Sequence, residues 1–253
     1  GMAGYEASLE YAKNRPQGRP VAGGSQKVVK DAAQAQVRII EHADIKRMLL
    51  AQKSYCEGAL ALELYCAKLV DEQHTGSANA ADEARLLLEV LTPIAKSWPS
   101  EWCLEANSLA IQIHGGYGYT RDFPVEQYWR DNRLNMIHEG THGIQGMDLL
   151  GRKVLMDNGA KLRKFGEKIR VFVEENGTNE AVSEFITPLA DIGDKITKLS
   201  MEIGMKAFMN RDEVGAAAVP YMRVVGHLVF SWFFARMAKL ALEKQNSGDD
   251  FYQ

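Results

Sequence analysis

The chain has 253 residues, of which 46% are hydrophobic and 25% charged. That is the composition of a water-soluble globular protein with room for one large domain or two of ordinary size. A formal charge of -3 argues against nucleic acid as a partner, because phosphate binding needs a clustered basic surface.

The three cysteines, Cys56, Cys66 and Cys103, do not make a disulfide framework. On one helix Cys56 and Cys66 would stand about 15 Å apart along the axis, too far to bridge. A reducing, cytoplasmic compartment is therefore expected. The first twenty residues carry Lys13, Arg15 and Arg19 without an apolar core, unlike a signal peptide. Gly1 ahead of Met2 resembles a residue left by a cleaved purification tag, so the natural chain is expected to begin upstream.

In chain order, Tyr5–Asn14 reads as the end of a helix, stopped at Arg15-Pro16-Gln17-Gly18-Arg19-Pro20, since a proline disfavours helix in the residue before it. Val21–Lys27 reads as a glycine-rich loop. From Asp44, a candidate N-cap, Ile45, Met48, Leu49, Cys56, Ala59, Leu62, Cys66, Leu69 and Val70 recur at helical spacing, predicting a helix to Gln73. A Gly/Ser turn follows. The next helix is predicted from Ala81, with Leu87, Val90, Leu91, Ile94 and Trp98 on one side. Pro93 and Pro99 remove backbone donors, which predicts a kink or break near Trp98-Pro99-Ser100. The helix resumes to Ile113 and is capped at Gly115-Gly116. Pro124 opens a short helix, Val125–Arg133, and Thr141 is placed to cap another running through Met147, Leu150 and Val154.

Asp157-Asn158-Gly159 is a polar seam. Beyond it come a stripe from Leu162 to Val173 ending at Asn176-Gly177, a second from Val182 to Ala207, and a last helix from Asp212 to about Lys244. That last helix is apolar nearly all round, the pattern of a central, buried member of a helical domain. Its most apolar run, Val224–Ala235, is too short to cross a bilayer. No segment alternates with period two for long enough to be a strand. The expected fold is all-α: an up-and-down four-helix bundle over 1–156, then a smaller helical domain over 157–253.

The polar passage from Gln112 to Gln145 holds the candidate chemistry. Irregular, glycine-rich backbone between rigid helices is where binding and catalysis concentrate. Gly115-Gly116-Tyr117-Gly118 follows a helix, not a strand, and matches neither a dinucleotide fingerprint nor a P-loop. It serves as a helix cap or as backbone that lets a ligand approach closely. Arg130-Asp131 reads first as a structural ion pair, His114 as a surface imidazole, and Gln112, Arg15 and Gln17 as solvated side chains. Glu139, in a turn before a helix, reads first as an acid favoured by the helix dipole, with a catalytic base as the lesser reading. His138-Glu139-Gly140-Thr141-His142 satisfies the H-E-x-x-H zinc pattern, with Glu167 as a possible third ligand. That pattern works only on a helix, where both histidines share one face, and Gly140 and Gly143 disfavour helix by about 1 kcal/mol each.

Taken together, Tyr11-Ala-Lys-Asn-Arg15-Pro-Gln17-Gly18, Gln112-Ile-His-Gly115-Gly116-Tyr-Gly118-Tyr, Arg130-Asp131 and Glu139-Gly140-Thr141-His-Gly-Ile-Gln145 resemble the C-terminal helical domain of acyl-CoA dehydrogenases. The resemblance covers about residues 5–156. The region beyond about 158 resembles the C-terminal extension of certain bacterial members, including the 3-methylmercaptopropionyl-CoA dehydrogenase type. The family's N-terminal helical domain and β-domain have no counterpart here.

The resemblance implies an enzyme of fatty acid metabolism that turns an acyl-CoA into a trans-2-enoyl-CoA. Glu139 falls at the common position of the α-proton base, and FAD takes the β-hydrogen. It implies that Gly140 lies close to the thioester and that Thr141 touches the flavin nucleotide. Arg15 and Gln17 fall at positions contacting the pyrophosphate of a neighbouring subunit's FAD, and Gln112 and Gly116 near its adenosine end. Electron-transferring flavoprotein as partner and a homodimer or homotetramer are implied in the same way. Two departures stand out. Many members read Arg-x-x-Phe-Gly where this chain has Arg15-Pro16-Gln17-Gly18, and Gly143 replaces a frequent glutamine. Competing readings are a zinc hydrolase through His138 and His142, and a non-catalytic helical oligomerisation module.

Overall fold

The computed structural model describes residues 1–19 and 35–248. The expected loop Val21–Lys27 lies outside the described residues. Those described hold eight α-helices and no strand: α1 (Met2–Asn14), α2 (Ala43–Thr75), α3 (Ala78–His114), α4 (Val125–Arg133), α5 (His142–Met147), α6 (Ala160–Asn176), α7 (Ser183–Met209) and α8 (Asp212–Lys244). The backbone's one extended pairing among them is an isolated antiparallel bridge, Pro16 with Arg38. They divide into two compact units, Gly1–Glu57 with Ser100–Asn135, and Gly58–Pro99 with Met136–Gln253. The long helices α2 and α3 each contribute one half to either unit.

In the first unit α1 turns small residues inward. Gly4, Ser8 and Ala12 are its buried positions, four apart and so on one face. A side chain at Gly4 would run into Asn107 at 2.5 Å. Ser8 Oγ donates to the Gly4 carbonyl (2.6 Å) and to Gln52 Oε1 (3.2 Å), so the polar groups this close packing buries are satisfied. Ala12, Ile39, Met48, Leu49 and Ile113 form its apolar core, with Tyr5, Leu9 and Tyr11 against it. The thiols of Cys56 and Cys103 hydrogen-bond to one another, and that bond together with burial pushes the Cys56 pKa up.

The second unit is built on α8. Eleven of its residues between Ala218 and Ala235 are buried, among them Tyr221, Val225, Val229 and Trp232, while Arg223, Val224 and His227 stay exposed. Phe230 stacks on Trp98 of α3 (centroids 3.5 Å apart), and Trp232 meets Tyr65 of α2 and Phe165 of α6 edge-on. Tyr221 Oη shares a hydrogen bond with Ser200 Oγ of α7 at 2.7 Å, and burial pushes its pKa up to about 12. At 33 residues, with an 18-residue window of mean hydropathy 1.3, α8 is long and apolar enough to cross a bilayer, but 44% of that window is buried inside the protein, as a core helix also is. Glu89 of α3 ties in the following elements through Lys153 (3.3 Å) and Lys161 (2.7 Å).

Three expectations need correction. No break occurs near Trp98-Pro99-Ser100: α3 runs unbroken through Pro93 and Pro99. Ile94, Ser97 and Trp98 are buried there, and that burial offsets the donors the prolines lack. Asp44 does not cap α2 but lies inside its first turn, paired with Arg47 at 2.8 Å. Thr141 occupies the N-cap of α5 without a side-chain cap bond, and the backbone then widens into a π-helix, Asp148–Leu155. The Asp157-Asn158-Gly159 seam is a left-handed turn, with φ 55° at Asn158 and 75° at Gly159.

Two glycines of α8 give opposite predictions. A Cβ at Gly226 would sit 2.3 Å from Trp98 Cδ1, whereas one at exposed Gly215 would meet nothing within 4 Å. Gly226→Val is expected to lower unfolding free energy by about 1–3 kcal/mol through overpacking. Gly215→Ala is expected to raise it by about 0.5–1 kcal/mol, since an exposed helix interior prefers alanine. Urea unfolding of the two variants checks both signs.

Candidate functional site

The residues singled out from the sequence fall into two groups, one in each compact unit. In the first unit they gather at the ends of α1 and α3. Arg15 closes α1, its N–H donating to the Tyr11 carbonyl at 2.9 Å. The next residues are pinned by a short ladder: Gln17 N–H to the Val37 carbonyl (2.9 Å), Val37 N–H to the Gly18 carbonyl (3.1 Å) and Ile39 N–H to the Arg15 carbonyl (2.9 Å). His42 Nε2 donates to the Gln17 carbonyl at 2.7 Å, and the Arg38 guanidinium caps the Asn14 carbonyl. The Gln17 side chain is thereby left exposed on a fixed backbone.

The end of α3 meets this loop through aromatic rings. The His114 ring stacks on Tyr11 at 4.3 Å, Phe123 packs edge-on against both, and the Arg15 guanidinium lies 5.7 Å from the Tyr117 ring centre. The expectation of a surface imidazole at 114 is therefore corrected. His114 is only 3% exposed, its Nδ1 donates to the Ala110 carbonyl at 2.8 Å, and burial lowers its pKa below the ordinary value. Beside it Gly115, at φ 61°, ends the helix in the left-handed conformation that glycine adopts without penalty. Gln112 is exposed on the last turn of α3. Asp131 does not illustrate the expected pair with its neighbour Arg130: its carboxylate accepts from Gln127 Nε2 at 2.7 Å, one helical turn back.

Two features of this group fit an anionic ligand. Arg15 Nε is buried and lacks a hydrogen-bond partner among the described residues, a costly state that an acceptor such as a pyrophosphate oxygen would relieve. Gly116 is exposed, has no left-handed φ, and a Cβ there would meet nothing within 4 Å. Among the described residues, neither conformation nor packing requires glycine at 116.

In the second unit Glu139 and Gly140 form the bend before α5, with φ 50° and 98°. A non-glycine residue in that region costs about 1–2 kcal/mol. Two side chains hold the bend: Lys96 Nζ donates to the Gly140 carbonyl at 2.6 Å, and Gln145 Nε2 to the Glu139 carbonyl at 3.2 Å. A Cβ at Gly140 would collide with that Gln145 amide at 2.7 Å. Glu139 and Thr141 are exposed, flanked by Ile137 (49% exposed) and Ile144 (63%). Behind them Gly146 presses on the Ala218 carbonyl of α8, 2.8 Å from where its Cβ would be. The zinc reading fails on this geometry. His138 and Glu139 lie in a turn and His142 opens α5, so the histidines share no helix face.

Sequence reasoning missed Lys96 and the rings of Tyr11, His114 and Phe123. The signal for Lys96 was a lone cation between Ile94 and Trp98; the ring contacts carried none, because Tyr11 lies more than a hundred positions from His114 and Phe123 in the chain.

With this geometry in hand, comparison with known proteins is informative. The sequence model described as "Acyl-CoA dehydrogenase, C-terminal domain" matches residues 24–155. The chain belongs to the acyl-CoA dehydrogenase family. A second model, "Acetyl-CoA dehydrogenase C-terminal like", matches residues 165–253. The chain is 34% identical to 3-methylmercaptopropionyl-CoA dehydrogenase of Ruegeria pomeroyi, over 97% of this chain and 41% of that protein. Its fold is shared with ACDH-11 of Caenorhabditis elegans, solved in complex with C11-CoA (TM-score 0.75, 17% identity, 93% of this chain and 37% of that one). It is shared equally with an acyl-CoA dehydrogenase from Bacillus anthracis complexed with FAD (TM-score 0.72, 19% identity, 99% and 41%). The all-α reading and the family resemblance hold. The chain spans about two fifths of the length of the curated relatives it matches.

The buried imidazole gives a signed pH prediction. With its folded pKa below the unfolded value of about 6.5, His114 favours the folded state fully at pH above that value, and the contribution is lost as pH falls through it. His114→Phe, which keeps a ring against Tyr11, should lose less stability than the parent between pH 7 and pH 5.5. Melting temperatures of both proteins across that interval measure the difference.

Proposed function

We infer that this chain is the C-terminal part of an FAD-dependent acyl-CoA dehydrogenase, an oxidoreductase that desaturates an acyl-CoA thioester to a trans-2-enoyl-CoA. The bundle occupies residues 1–156 and an accessory helical domain 157–253. The observation that carries this reading is a carboxylate, Glu139, held on a left-handed bend by side chains from α3 and α5; the sequence resemblance implies the family's base at the same position. An acid placed at that conformational cost has a positional task.

In this reading the Glu139 carboxylate removes the α-proton of the thioester. The Glu139 N–H donates to the thioester carbonyl, where negative charge develops as the proton leaves. Gly140 leaves room for the thioester, and the exposed Ile137 and Ile144 supply apolar surface for the acyl chain. FAD, when bound, accepts the β-hydrogen as hydride, so substrate loses one proton and one hydride overall. Arg15 and Gln17 hold the pyrophosphate of a neighbouring subunit's cofactor, and the buried Nε of Arg15 finds its acceptor there. Bare backbone at Gly116 and the Gln112 amide receive its adenosine end, and the Thr141 hydroxyl, unused as a helix cap, contacts the flavin nucleotide. A cytoplasmic homodimer or homotetramer passing electrons to electron-transferring flavoprotein completes the proposal.

Glu139 is exposed among the described residues. A base for so weak a carbon acid needs desolvation to raise its proton affinity, and the rest of the polypeptide must supply that closure. The isolated chain is therefore expected to be colourless and inactive. Stoichiometric FAD in its visible spectrum would overturn the proposed division of labour. In the complete polypeptide, Glu139→Gln is expected to lower turnover by at least about 1,000-fold with flavin still bound. Retained turnover of acyl-CoA would remove Glu139 from the role of base.

A further inference from the structure

Lys96 is a lysine in an apolar place. It follows Ile94 and precedes Ser97 and Trp98 on α3, all three buried, and is itself half-buried. Its Nζ donates to the Gly140 carbonyl 44 residues downstream at 2.6 Å, a short, charge-assisted bond. Burial lowers its pKa, while the Glu139 carboxylate raises it, so the ammonium and the carboxylate act on one another. A half-exposed carbonyl can be satisfied by water, and hydration alone does not require a desolvated lysine from another helix.

The bond falls where the backbone most needs holding. Glu139 and Gly140 take left-handed conformations in succession, and the second support, from Gln145 to the Glu139 carbonyl, is uncharged and comes from only six residues away. Lys96 alone of these two anchors the bend to α3, a helix of 37 residues. Resting on the reading of Glu139 as base, we propose that Lys96 is a positioning residue: by gripping the Gly140 carbonyl it fixes the bend from which the Glu139 carboxylate and N–H are presented.

The test pairs Lys96→Met, which keeps the apolar stem and removes the ammonium, with Lys96→Arg, which restores a charged donor. In the complete flavin-loaded enzyme, Lys96→Met should lower kcat by roughly 10- to 100-fold, the cost of misplacing a reacting group by about 1 Å. KM should move less than about threefold, since the carbonyl of Gly140 is not offered as a substrate contact. Lys96→Arg should recover most of the loss. Hydrogen exchange at the amides of 139–141 should accelerate in Lys96→Met and stay near the parent rate in Lys96→Arg, with melting temperature unchanged. Glu139→Gln, measured alongside, separates the two claims. An active Glu139→Gln enzyme sinks the base assignment itself. An inactive Glu139→Gln enzyme beside a Lys96→Met enzyme of parental kcat overturns the role of Lys96 and leaves the base standing. Should Lys96→Met fail to fold, Lys96→Gln decides by the same exchange measurement, and unchanged protection at 139–141 overturns the proposal.

Discussion

A two-residue left-handed bend, Glu139-Gly140, is the constraint on which the site depends. Left-handed backbone is unfavourable for glutamate by about 1–2 kcal/mol, so an unsupported chain would relax away from it. Here Lys96 and Gln145 take the two carbonyls of the bend. The helix that follows, α5, is seated by Gly146 against α8. The accessory helices thus have a physical connection to the chemistry proposed for residue 139: α8 supports the element from which Gln145 reaches back. That support is tight packing, and interiors at such density do not deform gradually.

The other group of candidate residues is built on a different principle. The ends of α1 and α3 are joined by stacked and edge-on rings of Tyr11, His114 and Phe123, and the loop after α1 is locked by backbone bonds to residues 37–39. This framework leaves two things unaccounted for among the described residues: a buried Arg15 Nε without an acceptor and a glycine at 116 whose Cβ would meet nothing. Incomplete satisfaction of this kind is expected where a ligand supplies the missing atoms. The two groups belong to different compact units and are built differently: one is a strained bend held by side chains, the other an aromatic framework with polar groups at its edge.

Much of the fold was legible in the sequence because local signals and packing agreed. Proline at 124 and the change of composition after Arg133 mark the ends of α4, and continuous apolarity marks α8 as a core helix. Where packing overrode local preference, the sequence misled. Pro93 and Pro99 point to a break, but the burial of Ile94, Ser97 and Trp98 carries α3 straight through. His114 looks like a surface residue at a helix end until Tyr11, over a hundred positions earlier, is found stacked on it. The candidate chemistry was legible at Glu139 and Gly140 through resemblance, since glycines and acids in turns have ordinary explanations. Lys96 stayed hidden because its partner is a backbone carbonyl, and no residue type at position 140 announces that its carbonyl will be taken.

The central claim is that Glu139 is the group that takes the α-proton, and isotope exchange isolates that step from hydride transfer and from electron delivery. The complete enzyme would be incubated in D2O with an acyl-CoA analogue that cannot lose a β-hydride, and deuterium entering the carbon next to the thioester followed by NMR. Steady exchange is expected with the parent enzyme and none above background with Glu139→Gln. Exchange at the parental rate in that variant would contradict it.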